Sequence, residues 1–129
     1  MDCLFCKIIE GSIPSCTIYE DEVVKVFLDI NPNTNGHCLI IPKKHIVTID
    51  EVNSELMNHI LMVIKKIHSL LKEKLNIEGL TIVQNNDLGQ EVKHLHFHLI
   101  PRYKDDDWKT VYNQNIIKNV TEIQKEIIG

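Results

Sequence analysis

The sequence predicts an α+β domain built on an antiparallel sheet, and three observations carry that prediction. β-Branched, strand-like runs follow one another in hairpin order at 17–20, 23–30 and 37–42, with dense turn signals between them. A long amphipathic stripe begins near residue 53, and two more strand-like runs follow it at 80–85 and 93–102. In the last of these, His94-Leu95-His96-Phe97-His98-Leu99 alternates imidazoles with apolar side chains, the period of a half-buried strand. Strands in this order with one long helix inserted imply helices packed on one face of the sheet.

Each element has its own local reason. Cys3-Leu4-Phe5-Cys6-Lys7-Ile8-Ile9-Glu10-Gly11 reads as a short helical turn closed by Gly11, a residue suited to the left-handed position after a helix. Pro14 then breaks the pattern. The strands 17–20 and 23–30 are joined by an acidic turn, and Asn31-Pro32-Asn33-Thr34-Asn35-Gly36 is a turn that pairs 23–30 with 37–42. Leu56, Ile60, Val63, Ile64, Ile67, Leu70 and Leu71 recur at three- and four-residue spacing, so they share one face of a helix. Asn53 or Ser54 suits its N-cap, and Asn76 with Gly79 marks its end. Residues 86–89 form a loop before the histidine strand, and Asp105-Asp106-Asp107 reads as a solvated loop. A last helix is expected from about Asn113, with Ile116, Val120, Ile123 and Ile127 on its apolar stripe.

Length favours one domain over residues 1–129, with a core in 1–112 and a C-terminal helix in 113–129. The formal charge is −4 and no basic run occurs, which argues against a protein that grips nucleic acid. Residues 1–16 lack the apolar core of a signal peptide. The greasy run around 60–64 is flanked by Asn58, His59, Lys65 and Lys66, far short of a membrane span. Four cysteines, two of them in a Cys-x-x-Cys, fit a reduced chain and a cytoplasmic location. Cys16 and Cys38 have no partner pattern and read as buried thiols. Strand edges and the apolar C-terminal stripe leave surface for a second copy, so a homodimer is expected.

The histidine row narrows the chemistry. Successive imidazoles on one strand face are about 7 Å apart, and His94 and His98 about 13 Å, too far for all three to share one metal ion. Cys3 and Cys6 have the spacing of zinc ligands, and His45 and His94 are the candidates to complete a closed, structural set. Spacing alone does not separate that reading from two small core thiols on a helical turn. If His94 turns to a metal, His96 and His98 stay free. Neutral histidine is a nucleophile near physiological pH, and no Gly-x-Ser-x-Gly elbow, nor a paired carboxylate on the same strand, competes for the role. Phosphorus suits an imidazole nucleophile. Upstream, Asn85-Asn86-Asp87-Leu88-Gly89-Gln90 offers amides and backbone N–H groups to phosphate oxygens, though taken alone it reads as a hairpin turn.

Gln90-Glu91-Val92-Lys93-His94-Leu95-His96-Phe97-His98-Leu99-Ile100-Pro101-Arg102 resembles the signature of the histidine triad (HIT) family. Phe27-Leu28-Asp29-Ile30-Asn31-Pro32, Gly36-His37 and Ile41-Pro42-Lys43-Lys44-His45 resemble its upstream blocks. The resemblance implies a homodimer with a five-stranded antiparallel sheet in each subunit. It further implies a purine nucleotide (AMP-type) ligand, and hydrolysis or nucleotidyl transfer on phosphoramidates, dinucleoside polyphosphates or related conjugates. By position, His96 is the expected nucleophile and His98 holds the α-phosphate, with Gln90, Gly89 and Asn85 nearby. Asp29 takes the ribose hydroxyls, while Phe27, Ile30 and residues 4–9 enclose the base. Members with the N-terminal Cys-x-x-Cys bind structural Zn2+ at positions matching Cys3, Cys6, His45 and His94.

Two departures stand out. Position 91 is Glu where many relatives have a hydroxyl that assists the leaving group, and the loop 86–89 is shorter than in common relatives. Two further functional classes compete with the enzyme. A nucleotide-binding adaptor with residual catalysis keeps the pocket but asks little of His96, and a zinc-stapled nucleic-acid binder fits poorly with an acidic chain.

Overall fold

Alternating side chains in the central strands face two different hydrophobic layers. A computed structural model describes residues 2–129. In chain order the elements are α1 (Leu4–Glu10), β1 (Thr17–Glu20), β2 (Val24–Leu28), β3 (Cys38–Pro42), a 3-10 turn (Ile49–Glu51), α2 (Ser54–Leu75), β4 (Gly79–Gln84), β5 (Phe97–Arg102), a second 3-10 turn (Gln114–Ile116) and α3 (Val120–Ile128). The strands form one five-stranded sheet in the order β1-β2-β3-β5-β4, with every neighbouring pair antiparallel.

On one face, Val24, Val26, Cys38, Ile40, Phe97 and Leu99 pack against Ile60, Val63, Ile64, Ile67 and Leu71 of α2. That is the stripe the periodicity predicts. Ile40, Ile60, Ile67 and Leu99 lose all solvent contact, each worth about 1.5–3 kcal/mol in apolar burial. The side chain of Asn53 accepts from the Leu56 N–H and starts α2, and Asn76 ends it in the left-handed conformation, φ 53°.

The other face departs from the expected one-sided arrangement. Phe27, Leu39 and Ile41 pack under Phe5 and Ile8 of α1, so the short helix covers the face opposite α2. Phe5 and Ile8 are three residues apart and fall on one side of a helical turn, which suffices to seat it. Because Phe27 pairs with Leu39 and Leu39 with His98, this second face also carries the histidine site.

Four local expectations are corrected. β5 begins at Phe97, not Lys93, because the preceding backbone is taken elsewhere: His94 N–H donates to Val92 O at 2.9 Å and Leu95 N–H to Ile46 O at 2.8 Å. The alternation survives without the ladder, since Leu95 is fully buried in the α2-side core while His94 and His96 meet Phe5 on the other side. α3 starts at Val120, not near Asn113, because Asn119 caps it through Thr121 N–H whereas Asn113 makes no side-chain cap. Of its stripe, Ile116, Val120 and Ile127 stay exposed. Cys16 is exposed just before edge strand β1, although Cys38 is buried as expected. Asp106 is not simply solvated: it takes Arg102 at 2.8 and 2.9 Å and accepts from the Tyr103 and Trp108 N–H groups.

Gly36 closes the 31–36 turn at φ +94°, and a Cβ there would lie 2.7 Å from Leu75 Cδ1. Only glycine brings this turn against the end of α2. The turn delivers His37 to the sheet beside His98.

Candidate active site

The loop that precedes β5 carries three backbone and side-chain jobs on one residue, His94. Its ring is fully buried. Nε2 lies 2.8 Å from Pro42 O, and a carbonyl can only accept, so the ring proton sits on Nε2. The lone pair is then on Nδ1, which is 3.4 Å from Cys3 Sγ, 3.6 Å from Cys6 Sγ and 3.2 Å from His45 Nδ1. Cys6 Sγ and His45 Nδ1 are 3.3 Å apart. A tetrahedral zinc with bonds of about 2.0–2.3 Å separates its ligands by roughly 3.3–3.8 Å. The four ligand atoms lie within 4.8 Å of one another and can hold a metal ion. Donor type fits as well. Two thiols and two imidazoles suit zinc, and the bond to Pro42 is the second-shell contact that aims a histidine ligand. Burial lowers the His94 pKa and raises that of Cys6. The imidazole is therefore neutral, ready to coordinate, and a bound cation would displace the thiol proton.

The carbonyl of the same residue reaches the next imidazole. His96 Nδ1 is 2.7 Å from His94 O, so Nδ1 carries the proton and donates it. Nε2 of His96 keeps a bare lone pair. The ring is buried, held edge-to-face against Phe5 at 5.0 Å between centroids and against His98 at 5.0 Å. These contacts restrict ring rotation. The result is an imidazole of fixed orientation in a partly apolar wall.

His96 lines a cleft of about 760 Å³ between α1, the 29–33 turn and the 85–92 loop. That volume lies within the usual range for small-molecule sites. Leu4, Phe5, Ile8 and Phe27 form the apolar end, and Asp29, Asn85, Glu91, His37 and His98 bring polar groups. Asp29 Oδ1 accepts from Asn31 N–H at 2.8 Å, which ends β2 and holds the carboxylate at the rim. Ile30 is almost fully exposed beside it.

Of the residues singled out in the sequence, Phe27, Asp29, Ile30, Asn85, Gly89, His96 and His98 all line this cleft. Asn85 is the amide that does so, because Asn86 turns away to accept from Ile49 N–H at 2.8 Å. Gly89 adopts φ +96°, which lets the loop fold back over the cleft. Gln90 is the exception. It is buried, donates to Val47 O at 2.6 Å and accepts from Asp87 N–H at 3.3 Å, so it braces the loop instead of lining the wall. Sequence reasoning gave no role to His37, which lines the cleft and lies 3.0 Å from His98. No periodicity marks it, since it stands at the end of a turn, and only strand pairing brings it to His98.

Burial pulls the His98 pKa down to about 4, with neighbouring His96 and His37 adding to the shift. Burial lowers His37 too. His98 therefore meets a ligand as a neutral ring at physiological pH.

Comparison with known proteins agrees with this architecture. Residues 10–105 match the family model described as the HIT domain. An uncharacterised HIT-like protein of Methanocaldococcus jannaschii is 47% identical, over 98% of this chain and 99% of its own. An adenosine 5'-monophosphoramidase of Candida albicans is 43% identical, over 81% of this chain and 72% of its own. Among solved structures, a HIT family protein from Bacillus subtilis superposes with a TM-score of 0.84 at 39% identity, covering 98% of this chain and 95% of that one. A zinc-bound histidine triad family protein from Mycobacterium smegmatis gives 0.80 at 35% identity, covering 88% and 84%.

The His98 environment has a measurable signature. Its ring resonances should show no protonation until the pH approaches about 4. As pH falls from 6.5 towards 4 the unfolded chain takes up a proton that the folded site refuses, so His98 costs stability in that window and none above it. An NMR titration midpoint near 6.5 for His98 contradicts this environment.

Proposed function

The chain belongs to the histidine triad (HIT) family, and from that premise we propose that it cleaves purine nucleotide conjugates at the α-phosphate through a covalent intermediate on His96. One observation carries the proposal: the His94 carbonyl holds the proton of His96 on Nδ1, which leaves Nε2 bare towards the cleft. The monophosphoramidase relative from Candida albicans points to AMP-linked hydrolysis as the reaction class.

Attack by His96 Nε2 on the α-phosphorus forms a P–N bond while the bond to the leaving amine or phosphate breaks. The leaving group departs with the electron pair and takes up a proton. Water then attacks the same phosphorus and releases to solvent a proton that balances the one the leaving group took from solvent. The P–N bond breaks with its electron pair returning to Nε2, and the nucleoside monophosphate leaves with His96 restored. Transfer to an acceptor other than water follows the same second step. Each step inverts phosphorus, and neither requires the imidazole to leave its bond to His94.

Other cleft residues bind and orient. His98 hydrogen-bonds an α-phosphate oxygen, Asn85 and the backbone at Gly89 hold further oxygens, and Gln90 acts by keeping that loop in place. Asp29 accepts from the ribose hydroxyls, and Phe27, Ile30 and the apolar face of α1 enclose the base. Glu91 stands at the position that assists departure in relatives, and its carboxylate disfavours anionic leaving groups relative to amines. An adaptor with residual catalysis would need the cleft but has no use for a nucleophile of fixed tautomer.

The Cys3, Cys6, His45 and His94 set holds structural zinc in this reading. When bound, the ion supplies a closed cross-link between α1, the 43–45 turn and the histidine loop. Thiol ligands and two further free cysteines suit a reducing cytoplasm. No helix among the described residues is long and apolar enough to cross a membrane. A second copy of the chain is the partner. β4 is an edge strand with Ile82 half exposed, and Val120 and Ile127 of the α3 stripe are exposed. The formal charge of −4 argues against nucleic acid as the partner.

Three outcomes are expected. His96→Ala and His96→Asn should each lower kcat on an adenosine phosphoramidate by at least about 10³-fold, while AMP binding measured by calorimetry changes little. Unchanged turnover removes the mechanism. Metal analysis of protein purified without chelator should find about one zinc per chain, lost in Cys3→Ser together with thermal stability; a zinc-free wild type of equal stability refutes the staple. Light scattering should give twice the chain mass, and a monomer at all concentrations excludes the dimer.

A further inference from the structure

Three imidazoles line the cleft, and one of them, His37, sets the state of another. His37 is buried, and its Nδ1 lies 2.9 Å from the backbone nitrogen of Asn33. That N–H can only donate, so Nδ1 of His37 is the acceptor and carries the lone pair. In a neutral ring the proton is then on Nε2. This Nε2 lies 3.0 Å from His98 Nδ1 and points its proton there. His98 Nδ1 accepts in turn, which leaves the His98 proton on its own Nε2.

We propose that His37 is a positioning residue: through a relay that starts at the Asn33 backbone N–H, it holds His98 in the Nε2–H tautomer, so that a neutral ring offers a hydrogen bond to the phosphate of a bound nucleotide. The phosphate part rests on the function proposed above, whereas the tautomer itself does not. His96 and His98, with ring centroids 5.0 Å apart, then carry opposite tautomers. The first shows a lone pair for attack, and the second shows a proton for the oxygens of the group attacked. With His98 in the other tautomer, a second lone pair would face those oxygens and repel them.

The same bond decides between this relay and a competing use of the residues. Asp29, His37 and His98 bring three ligand atoms close enough to hold a cation. Coordination by His37 Nε2 would require the ring proton on Nδ1, directly against the Asn33 N–H. The Asn33 bond and a metal bond are therefore mutually exclusive on a neutral ring. Asp29 Oδ2 sits 3.6 Å from His37 Nε2, beyond hydrogen-bond length, and leaves the relay through His98 as the shorter contact.

The test begins with long-range 1H–15N NMR of the wild-type protein without nucleotide, as purified with its metal. His98 should give the pattern of a single Nε2–H tautomer. His37→Leu removes the donor, and His37→Gln keeps an amide N–H close to the position of the lost Nε2. In His37→Leu the His98 pattern should become mixed or switch to Nδ1–H, and kcat should fall about 10- to 100-fold with a smaller change in KM. His37→Gln should restore both the tautomer and most of kcat. An Nδ1–H tautomer for His98 in the wild type overturns the relay, whether or not either variant folds. So does an unchanged His98 pattern in a folded His37→Leu protein. Since these spectra need no substrate, active His96→Ala protein would remove the proposed reaction and leave the relay standing.

Discussion

A single backbone oxygen, the carbonyl of His94, decides what the site can do. It takes the Nδ1 proton of His96 at 2.7 Å and so exposes the other nitrogen. A free imidazole in water exchanges between its two tautomers, and only one of them can attack through Nε2. Fixing that tautomer in the resting protein removes a reorganisation from the path to reaction. The ring of the same residue is anchored to Pro42 and faces two thiols and His45. The position of the carbonyl therefore depends on a cluster outside the cleft, and anything that tightens the cluster steadies the His96 ring.

Protein backbone governs the other rings in the same manner. Pro42 O sets His94, His94 O sets His96, and Asn33 N–H sets His37. Main-chain groups are tied into the sheet and its turns, so the proton pattern is as stable as the fold. Burial acts alongside them. Placing several imidazoles within ring contact would be costly if they charged, and desolvation keeps His98 and His37 neutral instead. In the proposed reaction, neutral rings attract an anionic phosphate less than imidazolium would, but they keep the attacking ring and the donating ring distinct.

Much of this was legible in the residues. The α2 stripe, the hairpin of β2 and β3, and the split of Leu95, Phe97 and Leu99 from His94, His96 and His98 follow from spacing alone, because periodicity reports which side chains share a layer. The gathering of Cys3, Cys6, His45 and His94 was legible as chemistry but not as geometry, since spacing left it open. What did not show was tertiary or backbone in origin. α1 lies on the opposite face because two residues, Phe5 and Ile8, find Phe27 and Leu39 there, a match invisible to a local pattern. The histidine run leaves the ladder early because Ile46 O competes for Leu95 N–H. Gln90 turns to Val47, and His37 joins the site through a turn and a strand register. Hydrogen-bond direction lies in none of these residue types.

The central claim is that His96 attacks phosphorus with a nitrogen kept bare by the His94 carbonyl. The most direct measurement is rapid mixing with an AMP conjugate, quenching at alkaline pH where a phosphoramidate survives, and peptide mass spectrometry. The account predicts one added nucleotidyl group on His96 within the first turnover, disappearing as product forms. Turnover with no adduct, or with the adduct on His98, would contradict it.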